Sequence, residues 1–283
     1  MPAKEQPQIE TFLHQLSRAP QSLLMLDYDG TLAPFHQRRD QAYPYAGITS
    51  AVRNIMQPDT GTRLVIISGR DAAEVVPLLG VHPSPEIWGL HGLQRRKPDG
   101  TLITAALDES VLDALSDAGR WLGYQQLQHL AEAKTGSIAV HWRGMSENSM
   151  EDVRGRILLG WSPIAARTGL DLMEFDGGVE IRAPAADKGD AVRLLLDEAG
   201  RGTPAAYFGD DATDEHAFEA IRGRGLSVLV RPRWRHTAAQ AWLKPGNEVL
   251  AFLTQWWEAC RQRSGVRDPG RANERLTGAR DSH

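Results

Sequence analysis

The sequence predicts an α/β protein: a Rossmann-like core with a mainly parallel sheet, interrupted by a smaller inserted α+β unit. Three observations lead there. Short, continuous apolar runs alternate with helical segments. Several of these runs open directly into polar turns. The middle of the chain changes to a strict two-residue alternation. With 283 residues, 41% hydrophobic and 24% charged, the chain has the balance of a globular protein of about two domains.

The first apolar runs are Leu23-Leu24-Met25-Leu26, Leu64-Val65-Ile66-Ile67 and Ile87-Trp88-Gly89-Leu90. Ala205-Ala206-Tyr207-Phe208 and residues 226–230 follow. They are continuous rather than alternating, as strands buried on both faces must be. Helical patterns cover 47–56, 72–79, 188–199 and 214–221, and a last helix is expected at 248–261. Between 106 and 182 the order reads helix, strand, strand, helix, strand, strand. There, Ile138, Val140 and Trp142 alternate with Ser137, Ala139, His141 and Arg143, the pattern of an antiparallel sheet with one buried face. Residues 1–106 and 183–262 are therefore assigned to the core and 107–182 to an insertion. Residues 263–283, polar and rich in Gly and Arg, are expected to be disordered.

A net charge of −4 gives no global attraction to nucleic acid or to an anionic membrane. The short basic patch Arg231-Pro232-Arg233-Trp234-Arg235 reads as solvated surface. The lone Cys260 excludes an internal disulfide and a cysteine-rich zinc site. Residues 1–19 lack the apolar stretch of a signal peptide, and no segment is apolar enough to span a bilayer, so a cytoplasmic protein is expected.

The chemistry lies where the runs end. The first opens into Asp27-Tyr28-Asp29-Gly30-Thr31, the second into Ser68-Gly69-Arg70, and the fourth into Gly209-Asp210-Asp211-Ala212-Thr213-Asp214-Glu215. In an open α/β sheet the carboxyl ends of the strands converge on one ligand crevice. Two carboxylates about 4 Å apart repel by about 4 kcal/mol at an effective dielectric near 20. Asp27, Asp29, Asp210, Asp211 and Asp214 therefore call for cations, and oxygen ligands without His or Cys suit Mg²⁺. Lys188 begins a helix, where the dipole disfavours a cation unless an anion is bound beside it.

This combination resembles the haloacid dehalogenase (HAD) superfamily. Asp27 to Leu32 match its first motif, Ser68 the second, Lys188 the third and Gly209 to Asp214 the fourth, with a cap-sized insertion between the second and third. Within the superfamily, segments at 26–34, 67–70, 90–92, 132–143, 180–182, 188–189 and 207–215 are similar to the trehalose-6-phosphate phosphatase family. The resemblance implies that Asp27 is a nucleophile, Asp29 a general acid and base, and Ser68 and Lys188 phosphoryl-holding groups. It also implies that Asp27, the Asp29 backbone carbonyl and Asp210 bind Mg²⁺, with Asp211 and Asp214 in or beside the ligand shell. Arg70, His91, Glu132, Lys134, Arg143 and Glu180 are the implied sugar-phosphate-binding residues, and a trehalose-6-phosphate synthase the implied functional partner. The chain departs from that family at Asp176-Gly177-Gly178, at Trp142 and at Ala183, outside the four motifs.

Overall fold

The computed structural model describes residues 6–36, 38–175, 177–184 and 187–263. The chain opens with α1 (Pro7–Leu16), a helix concealed in the sequence by its polar composition. Only Phe12 and Leu16, one turn apart, are buried on it. Then come β1 (Ser22–Leu26), α2 (Ile48–Ile55), β2 (Thr62–Ile67), α3 (Ala72–Leu79) and β3 (Glu86–Gly89). Two short strands, β4 (Gln94–Arg96) and β5 (Leu102–Thr104), precede the second unit. That unit consists of α4 (Glu109–Tyr124), β6 (Ala131–Lys134), β7 (Ser137–His141), α5 (Glu147–Thr168), β8 (Asp171–Phe175) and β9 (Gly178–Arg182). The chain returns through α6 (Lys188–Ala199), β10 (Ala205–Gly209), α7 (Glu215–Ala220), β11 (Leu226–Val230), β12 (Ala241–Leu243) and α8 (Asn247–Arg263).

The larger sheet has the order β12-β11-β10-β1-β2-β3-β4-β5, parallel from β12 to β3 and antiparallel beyond. β1 is buried along its whole length, as its continuous apolar run requires. Leu24 and Leu26 face a core shared with Phe12, Ile48, Phe252 and Trp256, whereas Leu23 and Met25 face one shared with Val192, Leu195 and Phe218. Helices thus cover both sides, the condition for a parallel sheet. Because β1 pairs with β2 on one side and β10 on the other, chain order reverses beside it, and a crevice opens at its carboxyl end.

The second sheet, β6-β7-β9-β8, is wholly antiparallel. Ile138, Val140, Val179 and Ile181 on one face pack with Leu115, Ile157 and Trp161 of α4 and α5. The register Glu132↔Ala139 and Ala139↔Glu180 places Glu132, Ala139 and Glu180 together on the opposite face. The alternation seen in the sequence ends with the strand at His141, and Arg143 lies in the turn that follows. No helix among the described residues is long and apolar enough to cross a membrane. Residues 264–283, where disorder was expected, lie outside the described residues.

Candidate active site

Asp27 is the first residue beyond β1, its amide donating to the Phe208 carbonyl at 2.9 Å, so the ends of β1 and β10 are locked side by side. The turn after Asp27 needs Gly30 at φ +83°, because a Cβ there would lie 2.1 Å from Asp210 Oδ2. Lys188 reaches this junction from the first residue of α6. Its Nζ donates to Asp27 Oδ1 and to Asp214 Oδ1, both at 2.7 Å. Asp214 also accepts from the Tyr207 hydroxyl at 2.5 Å and from the amides of Asp210 and Asp211 at 2.9 Å each. With both oxygens engaged, Asp214 holds Lys188 and the acidic turn in place.

Burial pushes the Asp27 carboxyl up, against the pull of Lys188. Burial, then Asp27 and Asp214, drive Asp210 well up. Burial would also raise Asp214, but Lys188 beside it outweighs that and holds it below its ordinary value. Burial opposes the charge on Lys188, yet Asp214 and Asp27 together raise it. Asp27 Oδ2 is buried with no hydrogen-bond partner. Carboxylate oxygens of Asp27, Asp210 and Asp214 all lie within 4.8 Å of one another. An orphaned oxygen in an all-carboxylate set fits a hard divalent cation. Of the other two aspartates expected at this centre, Asp29 turns its carboxylate to Arg70, leaving its backbone carbonyl as the candidate ligand. Asp211 uses Oδ1 to accept from the Ala212 amide at 2.7 Å.

Ser68 follows β2 and is buried; its Oγ accepts from the Arg70 amide at 3.1 Å, which leaves its O–H free to donate. Arg70, expected to bind substrate, commits its guanidinium elsewhere. It donates to the two Asp29 oxygens at 2.6 and 2.7 Å and to the Arg39 carbonyl at 2.8 Å. His91 sits in the left-handed region at φ +57° after Leu90 at φ +50°, conformations that cost energy in non-glycine residues. The amides of Leu90 and His91 donate to the carbonyls of Arg70 (2.8 Å) and Ser68 (2.9 Å), which holds the bend. The His91 ring then covers Gly69, where a Cβ would lie 2.6 Å from Cε1.

The polar face of the second sheet meets this wall. His91 Nε2 lies 3.1 Å from Glu180 Oε2, while Ser137 Oγ donates to Glu180 Oε1 at 2.8 Å. Lys134 Nζ is 3.8 Å from Glu180 Oε1 and donates to the Gly69 carbonyl at 3.2 Å. Glu132 pairs with His141 at 3.0 Å and with Arg39, and the Arg143 guanidinium stacks 4.0 Å from the centre of the Phe35 ring. Between the two faces lies a cavity of about 680 Å³ that takes in Asp27, Ser68 and Lys188 at one side and Glu132, Lys134 and Glu180 at the other. Phe35, Arg39 and Tyr207 were missed in the sequence. The first two lie in an aperiodic loop, and Tyr207 sits in an apolar run that reads as core; only the proximity of that run to the acidic turn could have marked it.

A doubly wound core, an aspartate–lysine centre at its switch point and a second unit over the crevice are the features of the haloacid dehalogenase fold. A haloacid dehalogenase-like hydrolase from Bacteroides thetaiotaomicron superposes with a TM-score of 0.61 over 83% of this chain and 99% of that one, at 16% identity. The sequence model of the family described as trehalose-phosphatase matches residues 25–242, and the chain belongs to that family. The C-terminal domain of Candida albicans trehalose-6-phosphate phosphatase superposes with a TM-score of 0.76 at 20% identity, over 88% of this chain and 96% of that one. The trehalose-phosphate phosphatase of Mycobacterium leprae is 31% identical over 254 residues, 83% of this chain. The match spans only 54% of that relative's length.

Proposed function

We propose that this chain hydrolyses trehalose 6-phosphate to trehalose and phosphate, with Mg²⁺ as cofactor and an aspartyl-phosphate intermediate on Asp27. The observation that carries this reading is the opposition, across one cavity, of the buried Asp27–Lys188–Asp210 centre and the polar sheet face bearing Glu132, Lys134 and Glu180. The cavity volume lies within the usual range for a small-molecule site.

Each residue then has a task. Asp27 attacks phosphorus, and the bond to the sugar oxygen breaks as the new P–O bond forms. Asp29, turning one oxygen from Arg70, gives its proton to the departing sugar oxygen. Asp29 next takes a proton from the water that attacks the acyl phosphate; the bond to Asp27 breaks, phosphate leaves and both carboxyl groups are restored. Ser68 and Lys188 hold the phosphoryl oxygens throughout. Asp27, the Asp29 carbonyl and Asp210, with Asp211 and Asp214 in or beside the shell, would hold Mg²⁺, which would supply charge neutralisation at the phosphoryl group. Residues 107–182 act as a cap, with Glu132, Lys134, Arg143 and Glu180, together with His91 of the core, reading the sugar hydroxyls. Arg70 serves this reading by placing Asp29. The substrate arises by glycosyl transfer onto a sugar phosphate, so the functional partner is a trehalose-6-phosphate synthase, linked through that metabolite.

Phosphate release from trehalose 6-phosphate, glucose 6-phosphate, sucrose 6-phosphate and mannosylglycerate phosphate, with Mg²⁺ and with EDTA, tests this. Metal-dependent preference for trehalose 6-phosphate, absent in Asp27→Asn, is expected. Preference for another member would replace the substrate and keep the chemistry. Release that persists in EDTA or in Asp27→Asn would remove the mechanism.

A further inference from the structure

The basic segment at 231–235, which reads from sequence as solvated surface, is wrapped onto the acidic turn. Arg231 Nη1 donates to the Asp210 carbonyl at 3.2 Å, and Arg235 Nη2 to the Asp211 carbonyl at 2.9 Å. Arg235 Nη1 also pairs with Glu215 Oε1 and donates to the His236 carbonyl at 3.0 Å. Glu215 is the hub of this group. Its carboxylate accepts from the Thr237 hydroxyl at 2.9 Å and from the Ala238 amide at 2.8 Å as well as from Arg235. Arg235 and Glu215 are only 28% and 25% exposed, and neither lines the substrate cavity.

The consequence for the turn is geometric. The peptide between Asp210 and Asp211 is held at both ends, its carbonyl by Arg231 and its amide by Asp214 Oδ2. The next peptide is held by Arg235 at its carbonyl and by the Asp211 side chain at its amide. On the other side, the Asp210 amide donates to Asp214 Oδ2 at 2.9 Å, so the peptides before and after Asp210 are both held and Arg235 anchors the stretch that follows. Together these bonds fix the direction of the Asp210 side chain, whose carboxylate already lies against Gly30. Glu215 also cancels the Arg235 charge, so two guanidinium donors reach the turn while only part of their positive charge remains beside a cation site.

We propose that Arg235 and Glu215, with Arg231, are positioning residues for the acidic turn: they orient Asp210 and thereby set how tightly the centre holds its divalent cation. This rests on the reading of that centre as a Mg²⁺ site. Groups behind metal ligands commonly change metal affinity by about 10–100-fold when removed. The sign separates positioning from simple charge. If Arg235 acted only through its charge, removing it would tighten cation binding; as a positioning residue, its loss weakens binding.

The test is the thermal midpoint of the full chain across a MgCl₂ titration, with KCl of matched ionic strength as the blank. In Arg235→Gln and Glu215→Gln, the Mg²⁺ concentration giving half of the stabilisation is expected to rise about 10-fold or more over wild type. Arg235→Lys, which keeps the charge but not the planar fork, is expected to stay as weak as Arg235→Gln. Arg231→Gln removes the bond to the Asp210 carbonyl without touching the Glu215 hub and gives the same direction of change should Arg235→Gln fail to fold. Unchanged or lower half-saturating Mg²⁺ in these variants, with a normal wild-type response, overturns the proposal alone. A wild type with no Mg²⁺ response overturns the metal reading, and the proposal with it.

Discussion

Glu180 illustrates how far one side chain depends on its neighbours. On β9 it occupies an ordinary polar alternation, yet it is only 3% exposed. Burial alone would raise its carboxyl, but His91, Lys134 and the Ser137 hydroxyl outweigh this and hold it well below the usual range. It therefore stays charged, a strong acceptor for a sugar hydroxyl. Glu180→Ala is expected to lower kcat/KM for trehalose 6-phosphate by about 10–100-fold, because a site built to bind a hydroxyl loses its partner. Hydrolysis of a generic aryl phosphate, which engages only the phosphoryl-holding side, should change less than about twofold. Equal losses on both substrates would show that Glu180 does not read the sugar.

At the scale of one element, α6 delivers Lys188 to the centre. Asp187 caps it, its Oδ1 accepting from the Gly189 amide at 2.7 Å while Oδ2 lies 3.0 Å from His216 Nδ1 of α7. A lysine at the first helical residue opposes the helix dipole by about 0.3–1 kcal/mol. Asp27 and Asp214 offset that cost, which is why the residue is buried here rather than solvated. Asp187→Ala is expected to lower stability by about 1 kcal/mol, seen as a shifted urea midpoint with an unchanged slope. A midpoint equal to that of wild type would show that the cap contributes nothing to the helix.

Across the whole molecule, the two sheets meet through polar side chains: His91 faces Glu180, Lys134 the Gly69 carbonyl and Arg39 Glu132. Arg39–Glu132 is partly exposed, and such pairs contribute about 0–1 kcal/mol each. Two imidazoles lie in this seam. Burial lowers His91 despite Glu180, with Arg182 and Lys188 adding to the shift. Burial, then Lys134 and Arg39, lowers His141 to about 4 even though Glu132 lies beside it. Both fall from an ordinary value of 6.5, so below that pH the unfolded chain takes up protons that the folded one refuses. The imidazoles' contribution to stability is therefore full above about 6.5 and falls as pH drops from 6.5 toward 4, by at most about 1.4 kcal/mol per pH unit per group and less for the half-exposed His141, while the raised Asp27 and Asp210 carboxyls act in the opposite sense. Urea midpoints at pH 7.5 and 5 should show that wild type loses more, or gains less, on acidification than His141→Gln does. Equal changes in the two proteins would mean that His141 is not shielded.

By itself the sequence determined the α/β class, the antiparallel middle and the aspartate-rich ends of β1 and β10, because apolar periodicity and turn chemistry are local properties of a chain. It did not expose α1, β4 or β12, which are short or polar and owe their form to the neighbours they pack on. Nor could it pair the charges. Lys188 and Asp27 are 161 positions apart, and Arg70 meets Asp29 across 41. His91 finds Glu180 only because two separate sheets face one cavity. The same acidic turn offers backbone carbonyls to Arg231 and Arg235, whose side chains looked free in the sequence. Residue types and their place at strand ends are written in the linear order. Which donor meets which acceptor is decided by strand order and register, since a hydrogen bond exists only within about 3 Å and at the right angle.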